Sequence, residues 1–200
     1  EIRRALERIG RAGTLLSPLT RVSSEQITVT IKAIVAAVAR LSARQHGALI
    51  IMKRMDSLEE YIRTGVLMNA EVTPEILLQV FYPNTPLHDG AVIVDQSRLV
   101  AASCVMPLSS SGILARSPER QMGLRHRASL GISEATDAIA VVVSEETGGI
   151  SIAHAGRMIR RLDVERLENI LVAFYSSETN GREKNLFKRM FPYLFPRKDE

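Results

Sequence analysis

Apolar residues along this chain follow two spacings, one typical of helices and the other of buried strands. The longest helical pattern runs from Ser23 to Gln45, and its apolar face consists of Ile27, Ile31, Ile34, Val35, Val38 and Leu41. Steps of three and four residues predict an amphipathic helix. Ser23 and Gln26 form a capping-box pattern at its start, which supports this prediction.

Shorter helices are predicted from start and stop signals. One covers residues 56–65, with a cap expected at Asp56 or Ser57 and a stop at Gly65. A second covers residues 73–83, where Thr73 precedes a proline and is the expected N-cap. The last covers residues 162–176 and is expected to begin at Asp163.

Uninterrupted apolar runs bounded by turn residues predict buried strands. They are GALIIM (47–52), AVIVD (91–95), RLVAASCVM (98–106), AIAVVVSEE (138–146) and GISIAHAG (149–156). Helices and strands alternate at first, whereas the later strands are joined by hairpin-type turns. The pattern therefore predicts an α/β fold with a mixed central β-sheet flanked by helices.

Composition narrows the class of protein. A chain of 200 residues with 46% apolar content is long enough for one compact domain. The net charge of +4 permits an anionic ligand, whereas 4% aromatic residues and no Trp give no stacking platform for nucleic acid. The single Cys104 excludes an intrachain disulfide and is expected to be a small buried hydrophobe in a reducing compartment. No membrane-spanning run of apolar residues is apparent.

The two ends of the chain are basic. Residues 1–20 contain a predicted basic amphipathic helix, which fits a surface helix and equally a segment that follows a membrane span. A further helix start is predicted at Ser117. We expect residues 1–20 to form a juxtamembrane helix and linker, residues 21–178 the functional domain and residues 179–200 a basic tail.

The segment NTPLHDGAVIVD places titratable groups where a strand begins. His88 and Asp89 form a plausible metal-ligating or proton-transferring pair, and Gly90 allows close approach of a ligand. A turn over residues 86–90 in which Asp89 caps its own backbone explains the same residues equally well.

Two further clusters supply charge. Arg125, His126 and Arg127 in GLRHRASLGIS suit phosphate oxygens, although a solvated basic face is the usual explanation of such a run. Glu145 and Glu146 end a strand, where they would bind a divalent cation or a ribose, or simply face solvent. Together the clusters indicate ATP chemistry without a P-loop or a dinucleotide-binding glycine motif. The remaining histidines, at positions 46 and 154, are interpreted as structural.

Three motifs in this order, TPLHDGAVIV, GLRHRASLGISEATD and VVVSEETGGIS, closely resemble the diadenylate cyclase domain of bacteria, with its Asp-Gly-Ala and Arg-His-Arg signatures. The similarity runs from ALERIGR to about Ala173. The basic N-terminal segment resembles the part that follows three transmembrane helices in the membrane-anchored type of this family. The resemblance implies a cytosolic catalytic domain held at the cytoplasmic face of the bacterial membrane by an anchor outside this sequence.

The resemblance implies the condensation of two ATP molecules into cyclic di-AMP with release of two pyrophosphates. Each protomer would hold one ATP, and a face-to-face homodimer would bring the 3′-hydroxyl of one nucleotide to the α-phosphorus of the other. The implied cofactor is Mn²⁺ or Mg²⁺, with Co²⁺ as a third candidate. A regulatory protein partner is compatible with this arrangement.

The resemblance also assigns roles by motif position. The catalytic segment is Asp89, Gly90 and Ala91, in which Asp89 would activate the hydroxyl. The phosphate ligands are Arg125, His126, Arg127, Ser144 and Glu145. The adenine and ribose pocket is Val105, Met106 and Leu124, and the metal ligands are His88 and Glu146.

Three positions depart from the family pattern. Val105 stands where the anchored type often has a Tyr beside adenine, Leu124 where a Thr is frequent, and Lys53 where an acidic residue is common. We expect weaker adenine stacking and one hydroxyl fewer near the phosphates.

Two other functions fit the sequence. A nucleotide-sensing module would bind ATP or cyclic di-AMP and regulate a partner without turnover. A membrane-proximal scaffold would contact anionic lipid through the basic helix. The intact set of motifs favours the enzyme.

Overall fold

The computed structural model describes residues 24–109 and 123–176. Several predictions lie outside the described residues: the basic helix of residues 1–20, the capping residue Ser23, the helix start at Ser117 and the basic tail of residues 179–200.

The described part of the chain contains five helices and seven strands. The helices are α1 (Ser24–Ala43), α2 (Glu59–Ile62), α3 (Pro74–Val80), α4 (Leu124–Ala135) and α5 (Val164–Ser176). The strands are β1 (Ala48–Met52), β2 (Val66–Glu71), β3 (Ala91–Asp95), β4 (Arg98–Cys104), β5 (Ile139–Val143), β6 (Ile150–His154) and β7 (Arg157–Leu162).

The seven strands form one sheet in the order β2-β4-β3-β1-β5-β6-β7. Strands β1 and β3 are parallel, with Ile51 opposite Ile93. Every other neighbouring pair is antiparallel. The predicted mixed α/β sheet is confirmed.

Each face of the sheet carries its own hydrophobic core. On one face, helices α1, α3 and α5 cover side chains such as Ile50 and Val141. On the other face, α2 and α4 cover the alternate side chains, among them Leu49 and Val142. Because successive strand residues point to opposite faces, an uninterrupted apolar run such as AIAVVV serves both cores.

Helix α1 is the only helix of the described ranges that is long and apolar enough to cross a membrane, judged by length and composition. The apolar run was not recognised as such in the sequence, because charged residues interrupt it. In the fold, Ile34, Val38 and Leu41 on its apolar face are fully buried in the first core. Helix α1 therefore packs as a core helix of this domain.

The fold determines the surroundings of two residues that the sequence singled out, Lys53 and Cys104. Lys53 donates to the Asp95 carboxylate at 2.6 Å, so the basic residue at this position completes an ion pair between the ends of β1 and β3. Cys104 is fully buried, as expected, and burial raises the pKa of its thiol to about 11.

The structure corrects several local predictions. Strands β2 and β7 were not predicted, and the helix expected over residues 56–65 is only the four residues of α2. Asp56 does not cap that helix, because its carboxylate accepts from the Asp137 amide at 3.0 Å. The predicted caps Thr73 and Asp163 are confirmed: they accept from the amides three residues on at 3.2 and 2.7 Å.

Candidate active site

The directions of the strands bring the predicted clusters to one end of the sheet, where several strands begin or end. Asp89 precedes β3 and Val105 follows the antiparallel β4, so the two lie at the same end. Ser144 follows β5, which is antiparallel to β1, and it reaches this end as well. The first and third motifs, far apart in sequence, therefore meet at this end of the sheet.

A cavity of about 510 Å³ opens at this end of the sheet. Of the residues predicted to form the site, its lining includes His88, Asp89, Leu124, Arg125, His126, Ser144, Glu145 and Glu146. Its volume is within the range of pockets that hold a nucleotide-sized ligand. The structure thus brings together Asp89, four of the five phosphate-binding candidates and both metal-binding candidates.

Asp89 is held at the cavity by an irregular junction between β3 and β4. Ser103 lies in a β-bulge of β4 with φ 55°, and its hydroxyl donates to the Asp89 carbonyl at 2.7 Å. Gly90 has φ 105°, and a Cβ there would lie 2.8 Å from the Cys104 carbonyl oxygen. Only glycine fits this position, so Gly90 lets the chain turn into β3 directly after Asp89.

His88 is oriented by the turn that precedes Asp89. Its Nδ1 lies 2.5 Å from the Thr85 carbonyl oxygen. Because a carbonyl oxygen only accepts, Nδ1 carries the proton, and Nε2 keeps the lone pair in the neutral imidazole. The turn therefore prepares His88 to offer Nε2 to a metal ion or to a donor on a ligand.

Arg125 connects the three clusters. It lies in the first turn of α4, where its guanidinium pairs with Glu145 and donates to the His88 carbonyl at 3.2 Å. Among the described residues its Nε is buried without a hydrogen-bond partner. An unpaired buried donor is costly, and hydrogen bonding to a bound ligand would remove that cost.

Gly47 makes room for this ion pair. A Cβ at Gly47 would lie 2.8 Å from Arg125 Nη1 and 2.9 Å from Glu145 Oε2. Gly47, the residue before β1, therefore lies directly against the ion pair. Its position in an apolar run of the sequence did not indicate this contact.

The His126 ring lies between α4 and β6. Its Nε2 is 3.5 Å from the Ser151 hydroxyl. Burial, and to a smaller extent the nearby Arg160 guanidinium, lowers the pKa of His126 below its usual 6.5. The imidazole is therefore neutral at pH 7, and it contributes hydrogen bonding rather than charge to the cavity.

We expect the free energy of unfolding to decrease as the pH falls below about 6.5, since burial lowers the pKa of both His126 and His154. The unfolded chain then binds protons that the folded chain excludes, so a stabilising contribution present above this pH is lost. Urea unfolding of the wild type and His154→Gln at about pH 8 and about pH 5.5 measures the effect. The variant should show the smaller pH dependence, and an equal dependence in both proteins would contradict the prediction.

The SEETGG turn is fixed by hydrogen bonds on both sides. The Ser144 amide donates to the Gly149 carbonyl at 3.0 Å, which closes the turn between β5 and β6. The Ser42 hydroxyl, at the end of α1, donates to the Gly148 carbonyl at 2.6 Å. These bonds hold the two carboxylates of the turn at the cavity.

The structure places other predicted residues outside the cavity lining. Gly90 lies in the turn before β3, and Ala91 is the first residue of that strand. The Arg127 carbonyl accepts from the Ser109 amide at 3.0 Å, and none of the three residues lines the cavity. Val105 is 66% exposed, and Met106 is buried in the core beneath α4. Their predicted contacts with adenine and phosphate stay predictions.

Sequence reasoning missed two cationic residues of the cavity. Arg160 and Arg161, near the end of β7, also line the cavity. In the sequence they are two adjacent arginines before Leu162, which is buried in the fold. This pair indicates a site only when the position of β7 in the sheet is known.

Comparison with known proteins places this fold and site in a family. A family model described as "DisA bacterial checkpoint controller nucleotide-binding" matches residues 35–158. Cyclic di-AMP synthase CdaA of Bacillus subtilis is 42% identical over 92% of this chain and 66% of its own length. The diadenylate cyclase of Listeria monocytogenes strain 10403S is 42% identical over 86% of this chain and 61% of its own length.

Solved structures agree. DacA from Staphylococcus aureus has a TM-score of 0.67 and 41% identity, and the alignment covers 71% of this chain and 92% of that one. A Bacillus cereus protein described as a hypothetical membrane spanning protein has a TM-score of 0.61 and 44% identity, with 66% of this chain and 63% of that one covered.

The chain belongs to the diadenylate cyclase (DAC) family. This confirms the family and the fold class predicted from the sequence, and the predicted function agrees with the names of the curated relatives. The chain spans about two thirds of the length of the curated relatives that it matches.

Proposed function

We propose that this domain is a diadenylate cyclase that joins two ATP molecules into cyclic di-AMP and releases two pyrophosphates. The observation that carries the proposal is the convergence of Asp89, Arg125 and Glu145 on one cavity in a chain whose relatives are named for this reaction. A carboxylate suited to accept a proton thus lies beside a guanidinium suited to hold a phosphate.

The reaction needs two copies of the domain, because one cavity accommodates one ATP. In a face-to-face dimer, the 3′-oxygen of one nucleotide attacks the α-phosphorus of the other, and the bond from that phosphorus to the oxygen bridging to the β-phosphate breaks. The hydroxyl proton passes to Asp89, and pyrophosphate leaves. The two-fold axis repeats the step with the roles exchanged, which closes the ring.

The chain positions the substrate more than it reacts with it. Arg125, fixed by Glu145 and the His88 carbonyl, presents its guanidinium to the phosphates. Neutral His126 adds a hydrogen bond without further charge. Alignment and charge neutralisation of this kind account for most of the catalysis of phosphoryl transfer.

The donor set fits a divalent cation that is shared with the substrate. His88, Asp89 and Glu146 line the cavity, although no group of three or more metal-binding side chains forms a complete site within the described residues. Mg²⁺ and Mn²⁺ commonly take one or two protein ligands and complete their shell with phosphate oxygens and water. We propose His88 and Glu146 as the ligands, where the ion would neutralise phosphate charge.

We further propose that a membrane anchor holds the domain at the cytoplasmic face and raises the local concentration for pairing. The similarity to a Bacillus cereus protein described as membrane spanning supports membrane association. Cross-linking of the full-length protein in membranes, compared with this domain in solution, tests whether anchoring promotes the dimer.

Mass spectrometry of the products made from ATP and Mn²⁺ at high protein concentration tests the function. Cyclic di-AMP and pyrophosphate in the stoichiometry of the reaction, absent when EDTA is added, are expected. ATP binding and dimerisation without product under Mn²⁺, Mg²⁺ and Co²⁺ would replace this proposal with the nucleotide-sensing module.

A further inference from the structure

Strand β7 has an extra residue at the cavity. The register between β6 and β7 pairs Ile150 with Leu162 but Ser151 with Arg160, so Arg161 is inserted without a partner. Arg161 has φ 56°, in the left-handed region that residues other than glycine seldom adopt. The insertion is therefore a β-bulge located where the strand borders the cavity.

The bulge decides which side chains face the cavity. Met158 packs in the core beneath α4, so regular alternation would turn Arg160 to the α4 face, Arg161 into the opposite core and Leu162 back to the α4 face. Instead, Leu162 is buried in the opposite core, and both arginines line the cavity. The inserted residue thus removes a charge from the core and adds it to the site.

Arg160 lies close to the phosphate-binding candidates. Its cross-strand partner Ser151 is hydrogen-bonded to the His126 ring at 3.5 Å. Arg125 is already paired with Glu145, so the positive charge of the phosphate clamp is partly neutralised within the protein. A bound triphosphate requires further cations, and the β7 arginines are positioned to supply them.

Strand order indicates which phosphates they contact. The predicted adenine residues follow β4 and Asp89 precedes β3, whereas Ser144 follows β5. Strand β7 lies two strands beyond β5, roughly 10 Å further from the catalytic carboxylate. A nucleotide with its base near β4 and its α-phosphate near Asp89 extends its β- and γ-phosphates towards β7.

We infer that Arg160 and Arg161, brought to the cavity by the β7 bulge, bind the β- and γ-phosphates of ATP and the pyrophosphate that leaves. This inference rests on the proposed function for the orientation of the nucleotide. It adds a specificity-determining pair: the site distinguishes a nucleoside triphosphate from a monophosphate through two guanidinium groups on a strand that carries none of the recognised motifs.

Calorimetric titration with 3′-deoxy-ATP and with its monophosphate tests the inference, because neither nucleotide has the hydroxyl needed for condensation. Arg160→Gln, Arg161→Gln and the double variant are compared with wild type. We expect the double variant to bind the triphosphate about 10- to 100-fold more weakly. Its affinity for the monophosphate should change less than about 2-fold. Arg161→Lys, which keeps the charge, should recover part of the triphosphate affinity.

Arg157→Gln is the matched control, since it removes the same charge from the other end of β7, outside the cavity lining. It should bind both nucleotides like wild type. Circular dichroism and thermal unfolding establish that each variant is folded. If Arg160→Gln does not fold, the affinities of Arg161→Gln decide the test, because Arg161 is exposed and its replacement should not disturb the fold. Unchanged triphosphate affinity in the folded variants, or an equal loss for both nucleotides, would overturn the inference.

Product formation by wild type is measured separately. If wild type makes cyclic di-AMP and the variants retain triphosphate affinity, the inference fails and the proposed function stands. If wild type makes no product and the variants lose triphosphate affinity selectively, the phosphate contact stands and the proposed function fails.

Discussion

Asp89→Asn is expected to abolish most cyclic di-AMP formation while ATP binding is retained. The substitution keeps the size of the side chain and the hydrogen bond from Ser103, which reaches the Asp89 backbone carbonyl. It removes the carboxylate proposed to accept the proton of the attacking hydroxyl, and loss of such a group lowers the rate by about 10²- to 10⁴-fold. Initial rates of product formation and Kd for 3′-deoxy-ATP measure the two effects separately.

Asp163→Asn provides a control with the same change of charge. Asp163 caps α5 at the exposed surface and asparagine caps equally well, so stability and turnover should be those of wild type. Turnover by Asp89→Asn at the rate of Asp163→Asn would remove Asp89 from the catalytic role.

Gly131→Ala is expected to lower the free energy of unfolding by about 3 kcal/mol, although alanine normally stabilises a helix relative to glycine. A Cβ at Gly131, inside α4, would overlap the Pro107 carbonyl oxygen and lie 2.7 Å from the Ser109 amide nitrogen. These atoms are backbone, and the Ser109 amide is bonded to the Arg127 carbonyl at 3.0 Å, so they do not yield freely. Urea unfolding measures the change.

Gly123→Ala serves as the comparison, because a Cβ there meets no atom of residues 24–109 and 123–176 within 4 Å. Because Gly123 is the N-cap of α4, its replacement by alanine should lower the free energy of unfolding by at most about 1 kcal/mol. If Gly131→Ala were instead stabilised, as helix propensity alone predicts, the segment after β4 would have to move away from α4 at little cost.

The parts of the fold that were predictable are those where one physical requirement dominates. Strands β3 and β5 are apolar runs because both faces of the sheet are covered. Helix α3 was recognisable because its N-terminal signals are local: Thr73 accepts from an amide three residues away and is followed by proline. Such signals do not depend on what lies elsewhere in the fold.

The missed elements depend on tertiary contacts. Strand β2 has no clear alternation because it lies at the edge of the sheet with Val66 and Leu67 exposed. In β7 the inserted Arg161 interrupts the period of two. Helix α4 is poor in large apolar residues since it packs closely against the segment after β4, which requires small residues such as Gly131.

Residues of the candidate site also divide into those that local sequence identifies and those that only the fold identifies. Asp89 and Arg125 were identifiable because charged residues at the ends of predicted elements suggest chemistry wherever the elements lie. Gly47 and Arg160 become site residues only through the order β1-β5-β6-β7, which brings them beneath and beside the Arg125 pair. Strand order is set by the packing of the whole sheet and cannot be read from local pattern.

The irregular outer strands have a consequence for self-association. A strand at the border of a sheet offers unpaired amides and carbonyls to which another chain can add, a common route to aggregation. Here β2 is interrupted at Asn69, whose backbone and side chain both accept from Arg98, and β7 is interrupted at Arg161. Both borders are therefore poor templates for an added strand, so a second chain would not readily extend this sheet.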